Sequence, residues 1–143
     1  DGNVRWWRMK GAGQNWNNDM PPARFIKMTT YNLKRDKSSD FFRFWRNNVK
    51  LQKALGYSGV SGVFMLESGG QAYQVMEVEG YNSHAEGKGA FKNQDVNYIE
   101  EYNKMFGWRS HRNDQAAFNA AIEQWGISIE TAELKPEMSS KLK

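Results

Sequence analysis

Two short stretches hold the residues that could do chemistry together. RFIKMTTYNL carries Lys27, Thr29 and Tyr31 at alternate positions, and QAYQVMEVEGY carries Tyr73, Glu77, Glu79 and Tyr81. If both are strands, each set shares one face, and antiparallel pairing brings Lys27 and Tyr31 within reach of Glu77 and Glu79. An enclosed carboxylate can act as a proton acceptor. The competing reading of the same residues is a Lys–Glu pair that neutralises itself while tyrosines fill space. Asn48 and Gln52 form a second candidate, one helical turn apart inside an otherwise apolar arc, where an amide needs partners. The two histidines, His84 and His111, suit proton transfer or metal or haem ligation, but they lack the spacing of a metal motif. Capping and surface roles compete with that reading for both.

The segment that must position these groups is 24–57. A strand with period-two alternation runs to Leu33, a charged turn KRDK follows, and SSDFFRFWRNNVKLQKALGY is an amphipathic helix. Ser38 or Ser39 is expected to cap it, with Asp40 in its first turn and Gly56 at its end. Phe41, Phe42, Phe44, Trp45, Val49, Leu51 and Leu55 fall on one arc, with Arg43, Arg46, Lys50 and Lys53 opposite. A short strand Val63–Glu67, a Gly69-Gly70 turn and the strand ending at Tyr81 come next. Ser83 to Glu86 matches a capping box. Helices are expected over about 95–106 and from Asp114 to Trp125, the latter closed by Gly126. A last strand is expected from Ile127 to Leu134.

The order β-α-β-β-α(α)-β predicts an α+β fold, the ferredoxin-like antiparallel sheet with helices on one face and an extra helix between strands three and four. Residues 24–134 form that domain, 1–23 a tryptophan-rich basic arm, and 135–143 a loose tail. Ile26, Met28, Met76 and Val78 are expected beneath the helices, which leaves the lysine, tyrosine and glutamate face open. A second copy is the simplest cover for such a face. No sustained period is legible in the arm. Its Trp6, Trp7 and Trp16 are expected to lie on the chain's own domain, on a neighbouring subunit, or on a partner.

Composition narrows the classes. The 143 residues suit one domain, and the 25% charged and 14% aromatic content is that of a globular protein. The absence of cysteine removes disulfides and thiolate chemistry. Asp1 in first position, with no cysteine, leads to an expectation of export. No apolar run is long enough to span a bilayer, so no transmembrane segment is expected. The net charge of +4 is concentrated in the first residues, and without a DNA-reading motif no nucleic-acid partner is expected.

On three stretches the chain resembles the dimeric α+β barrel superfamily, which includes antibiotic-biosynthesis-type monooxygenases and the NIPSNAP-like and EthD-like proteins. They are FIKMTTYNLKRDKSSDFFRFWRNNV, YSGVSGVFMLESGG and YQVMEVEGYNSHAEG. The resemblance covers about 24–134 and its motifs are structural. It implies a homodimer with a small apolar or aromatic ligand in the barrel interior. The chemistry it implies is cofactor-independent oxygenation or proton transfer. Glu77 or Glu79 would be the base, Tyr31 and Lys27 would polarise an oxygen, and His84 would shuttle protons. Thr29, Trp45, Asn48, Tyr73 and Tyr81 would bind substrate. A non-catalytic interaction module using the arm and the helical insertion is the rival expectation, and haem bound through His84 or His111 is a third.

Overall fold

The computed structural model describes residues 4–17, 19–85, 87 and 89–138. Glu86 of the expected capping box and the tail beyond 138 lie outside the described residues. Five antiparallel strands and three helices give an α+β architecture. The strands are β1 (Trp6–Ala12), β2 (Phe25–Leu33), β3 (Val60–Ser68), β4 (Gln74–Tyr81) and β5 (Ile122–Glu133), in the spatial order β1-β3-β4-β2-β5. The helices are α1 (Ser38–Ala54), α2 (Tyr98–Phe106) and α3 (Ser110–Ala120).

The aromatic arc of α1 lies on the sheet as its periodicity requires. Phe41, Phe42 and Trp45 join Leu33, Val63, Val75 and Ala121 in one buried cluster, with Tyr31, Val49 and Phe118 packed around it. Phe41 and Phe118 stack at 4.8 Å between ring centres, and Tyr31 meets both edge-on. Ring geometry of this kind adds to the stabilisation from apolar burial alone.

That cluster inverts the expected faces. Tyr31, Leu33 and Val75 point toward the helices, and Lys27, Thr29, Glu77 and Glu79 share their side by strand alternation. Ile26, Met28, Met76 and Val78 take the other side. Alternation shows which residues share a face but not which face is covered. Here both faces are rich in apolar side chains, and the larger groups, Phe25, Tyr31 and Leu33, go inward.

Several boundaries also differ. Lys37, not a serine, precedes α1 and gives no side-chain cap, while Asp40 pairs with Arg43 at 3.0 Å. Residues 83–85 and 87 form a turn rather than a helix, with Gly87 N–H donating to Ser83 C=O at 3.2 Å. Asn97 caps α2 by accepting from the Glu100 N–H at 3.2 Å. Asp114 lies within α3 instead of capping it, because its carboxylate serves a network described below. The last strand begins at Ile122. Residues 123–126 bulge opposite Asn32 alone, between the pairs Tyr31–Ile127 and Leu33–Ile122, leaving Trp125 at φ 60° and 93% exposed. Gly126 serves this bulge rather than a helix end, since a Cβ there would meet the Glu123 carbonyl at 2.7 Å.

Residues 6–12 add an edge strand where no period was legible. β1 pairs with β3, and Arg8 and Glu67 form an ion pair at 3.0 Å. The chain then crosses the open sheet face to reach β2. Trp16 lies over Gly62 and meets Phe64 edge-on at 5.8 Å, so the arm packs on its own domain. A Cβ on Gly62 would stand 3.0 Å from the Trp16 ring. Gly62→Ala is therefore expected to cost about 1–3 kcal/mol by overpacking. Trp16→Ala should remove most of that penalty in a double-mutant cycle followed by urea unfolding, and additive effects would show that the arm does not lie there.

Candidate functional site

The inverted faces place polar groups beneath a helix. A hollow of ≈ 180 Å³ lies between α1 and the sheet. Glu77 and Glu79 of β4, with Val60 and Ser61 of β3, form its floor. Phe44, Trp45, Asn48, Val49 and Gln52 of α1 form its roof, and Tyr57 and Phe118 complete the wall. Five residues singled out from sequence thus meet in one cavity: Glu77, Glu79, Asn48, Gln52 and Trp45.

Three more stand beside it on β2. Thr29 pairs with Glu77 and Lys27 with Glu79 across an unbroken ladder, and Thr29 is buried. The Tyr31 hydroxyl is pushed far above its ordinary value, by burial first and then by the negative charges of Glu77 and Glu79.

The remaining candidates lie elsewhere. Tyr81 and His84 cluster with Phe25 at one end of the ladder, with ring centres 5.4 Å and 4.2 Å from that of Phe25. His84 is exposed there and does not line the cavity. Tyr73 sits in the β3–β4 turn at φ 64° and is 44% exposed, its carbonyl accepting from the Leu33 N–H at 3.0 Å. Its place in the turn separates it from the site. His111 is enclosed by Phe44, Tyr98 and Tyr102, its ring 5.7, 6.4 and 5.1 Å from theirs. Among the described residues, no three His, Asp or Glu side chains come together as a metal would need.

The roof is held by polar contacts between helices. Asn48 Nδ2 donates to the Phe44 carbonyl at 2.9 Å, and the Tyr98 hydroxyl donates to Asn48 Oδ1. The Tyr102 hydroxyl, on a residue with no exposure, donates to Asp114 Oδ2 at 2.8 Å, and Asn47 Nδ2 donates to the Tyr102 oxygen at 3.1 Å. Arg43 closes the group on Asp114 at 3.3 Å. Sequence reading missed Tyr57, Ser61 and Phe118 as cavity walls. For Tyr57 the available signal was an aromatic residue just after the glycine that ends α1.

No family model matches the chain, and no curated protein is significantly similar to it. No helix among the described residues is long and apolar enough to cross a membrane.

Burial raises the hydroxyls of Tyr98 and Tyr102 as it does that of Tyr31. Above the ordinary tyrosine value near 10, the unfolded chain releases protons that the folded protein keeps, so stability must fall as pH rises through that range. A spectrophotometric titration is expected to show these three phenols ionising only together with loss of the circular dichroism signal. Gradual ionisation in a protein that stays folded would contradict their burial.

Proposed function

We propose that this protein binds a small molecule in the cavity beneath α1 and uses Glu77 or Glu79 to move a proton on it. The observation that carries this reading is the convergence of two carboxylates, an oriented amide and an indole on one hollow. Its size supports a one-ring ligand, since an apolar cavity of about 150 Å³ takes benzene. A carboxylate close to aromatic walls can act as a base toward an acidic C–H or O–H. Tyr31, kept protonated, stands beside the cavity rather than in its wall and is assigned no contact with the ligand. The carbanion so formed is also where a cofactor-independent oxygenation would start, with dioxygen as the oxidant.

The fold reading that accompanies this is a ferredoxin-like domain, extended by β1 and assembled as a dimeric α+β barrel. Its support is the sheet face away from the helices, which the arm crosses only in part. Ile26, Met28, Phe64, Met76 and Val78 are only half-buried there, beside an apolar hollow of ≈ 550 Å³ lined by Trp16, Pro21, Ile26 and Val78. A sheet with helices on one side keeps the other for water or for a partner, and these side chains suit a partner. Sedimentation is expected to give a dimer for the native chain and a monomer for Met76→Glu. A monomeric native chain would remove the barrel.

The catalytic reading is tested by incubating the protein in deuterium oxide with a panel of one-ring ketones and following exchange at the carbon next to the carbonyl. Incorporation should exceed the buffer rate, and Glu77→Gln or Glu79→Gln should lower it by about a hundredfold or more. Equal rates in the native protein and both variants would end the assignment of a carboxylate base.

A further inference from the structure

We propose that the cleft between β1 and α1 binds a phosphate monoester carrying a small apolar body. This cleft, of ≈ 290 Å³, stands apart from the hollow that holds Glu77 and Glu79 and shares only Trp45 and Val49 with it. It would bind its ligand whether or not the cavity beneath α1 is used.

An irregularity in the edge strand builds the cleft. β1 shifts register against β3 between Met9 and Gly11, so Lys10 is an extra residue there. In regular pairing Met9 and Gly11 would share a face. Instead Met9 reaches toward Gly62 on the side away from the helices, while Gly11 faces Trp45. The bulge also aims Lys10 at α1, with its ammonium 5.9 Å from the centre of the Phe42 ring. A Cβ on Gly11 would stand 3.2 Å from the Trp45 ring, so the glycine lets the indole form a wall. Buried Phe42, Trp45 and Val63 give the cleft an apolar floor, and exposed Lys10, Arg46 and Lys50 give it a rim.

The positive charge of this rim is not answered from within the chain. Arg46 and Lys50 are one turn apart on α1, where like charges oppose helix formation. No Asp or Glu lies three or four places from either of them, and none lines the cleft. Among the described residues none of the three cations forms an ion pair. Other exposed bases do: Arg8 pairs with Glu67 at 3.0 Å, Arg24 with Glu133 at 3.2 Å and Lys104 with Glu101 at 3.1 Å. An arginine fork beside two lysines suits a phosphate monoester, which offers three terminal oxygens and a charge of about −1.5 to −2. A carboxylate would answer only one of the three cations. Inorganic phosphate would leave the apolar floor unused, so the monoester carries a ring or short chain to cover it.

Phenyl phosphate, inorganic phosphate and benzyl alcohol carry both features, the charge alone and the ring alone, and are titrated calorimetrically into the intact protein. Phenyl phosphate is expected to bind at least about tenfold more tightly than either of the others, and to weaken as potassium chloride is added. Arg46→Gln and Lys50→Gln should each weaken it about fivefold or more. Lys53→Gln removes the same charge from α1 outside the cleft and should not. All three residues are exposed, and circular dichroism checks that the variants fold. Phosphatidylcholine vesicles with and without phosphatidic acid separate a membrane-borne monoester from a dissolved one. Retention by the acidic vesicles alone, lost in Arg46→Gln, supports the first; no retention alongside phenyl phosphate binding supports the second. Equal weakening by Lys53→Gln would reduce the effect to net charge and overturn the site. Inorganic phosphate binding as tightly as phenyl phosphate would overturn the apolar body. Absence of binding to both phenyl phosphate and acidic vesicles would overturn the proposal as a whole.

Discussion

The unbroken pairing of β2 with β4 is the constraint on which the rest depends. Phe25 through Asn32 meet Tyr81 through Gln74 residue for residue, with no irregularity along the ladder. One residue of slip would send every side chain of one strand to the other face. The register therefore decides at once that Tyr31, Leu33 and Val75 meet the α1 aromatics, and that Lys27, Thr29, Glu77 and Glu79 go with them. Irregularity is confined to the outer strands. β1 shifts register twice against β3, and β5 bulges at 123–126. Departures from regular pairing are tolerated there because neither strand carries a wall of the cavity.

Above this floor, the helices are held by two kinds of contact with different reach. Apolar packing of Phe41, Phe118 and Tyr31 sets how closely α1 and α3 approach the sheet, but it is non-directional and tolerates small rotations. The Arg43–Asp114–Tyr102–Asn47 group is directional and draws on all three helices. Removing one member would leave a buried hydroxyl or carboxylate without its partner, which is costly in a low-dielectric setting. The same logic carries into the cavity through the Tyr98–Asn48 bond, which ties α2 to a roof residue. The helical insertion thus supports the site, although among its described residues only Phe118 of α3 lines it.

Much of this was legible in the sequence, and the misses share a cause. Period-two alternation in 24–33 and 74–81 identified the residues that share a face, and the aromatic arc of α1 identified the helix that covers it. Glu77 and Glu79 were singled out by the strand period and Asn48 by the helical one, but their meeting was not legible, because the helices were expected on the opposite face. The covered face could not be read, because Ile26, Met28, Met76 and Val78 are as apolar as a core requires. β1 was hidden because WWRMKGA is short and its polar positions are arginine and lysine, whose long stems read as a basic arm. Asp114 read as a cap because aspartate at the start of an apolar stripe usually is one. Its role as an acceptor for Tyr102 depends on a contact between helices, which local pattern does not contain.

The way the faces are disposed bears on function. Turning Ile26, Met28, Met76 and Val78 under the helices would leave Lys27, Glu77 and Glu79 to water, but it would also expose Phe25, Tyr31, Leu33 and Val75. The chain keeps those larger groups inside and half-buries the three charged residues with them. Both consequences fit one arrangement, in which one side of the sheet faces a small, partly open hollow and the other side carries half-buried apolar groups. Either feature alone would admit a structural explanation: a neutralised Lys–Glu pair for the first, scattered surface methionines for the second. Together, on the same pair of strands and in fixed register, they are what the proposed reading of a ligand beneath the helices and a partner on the other face rests on.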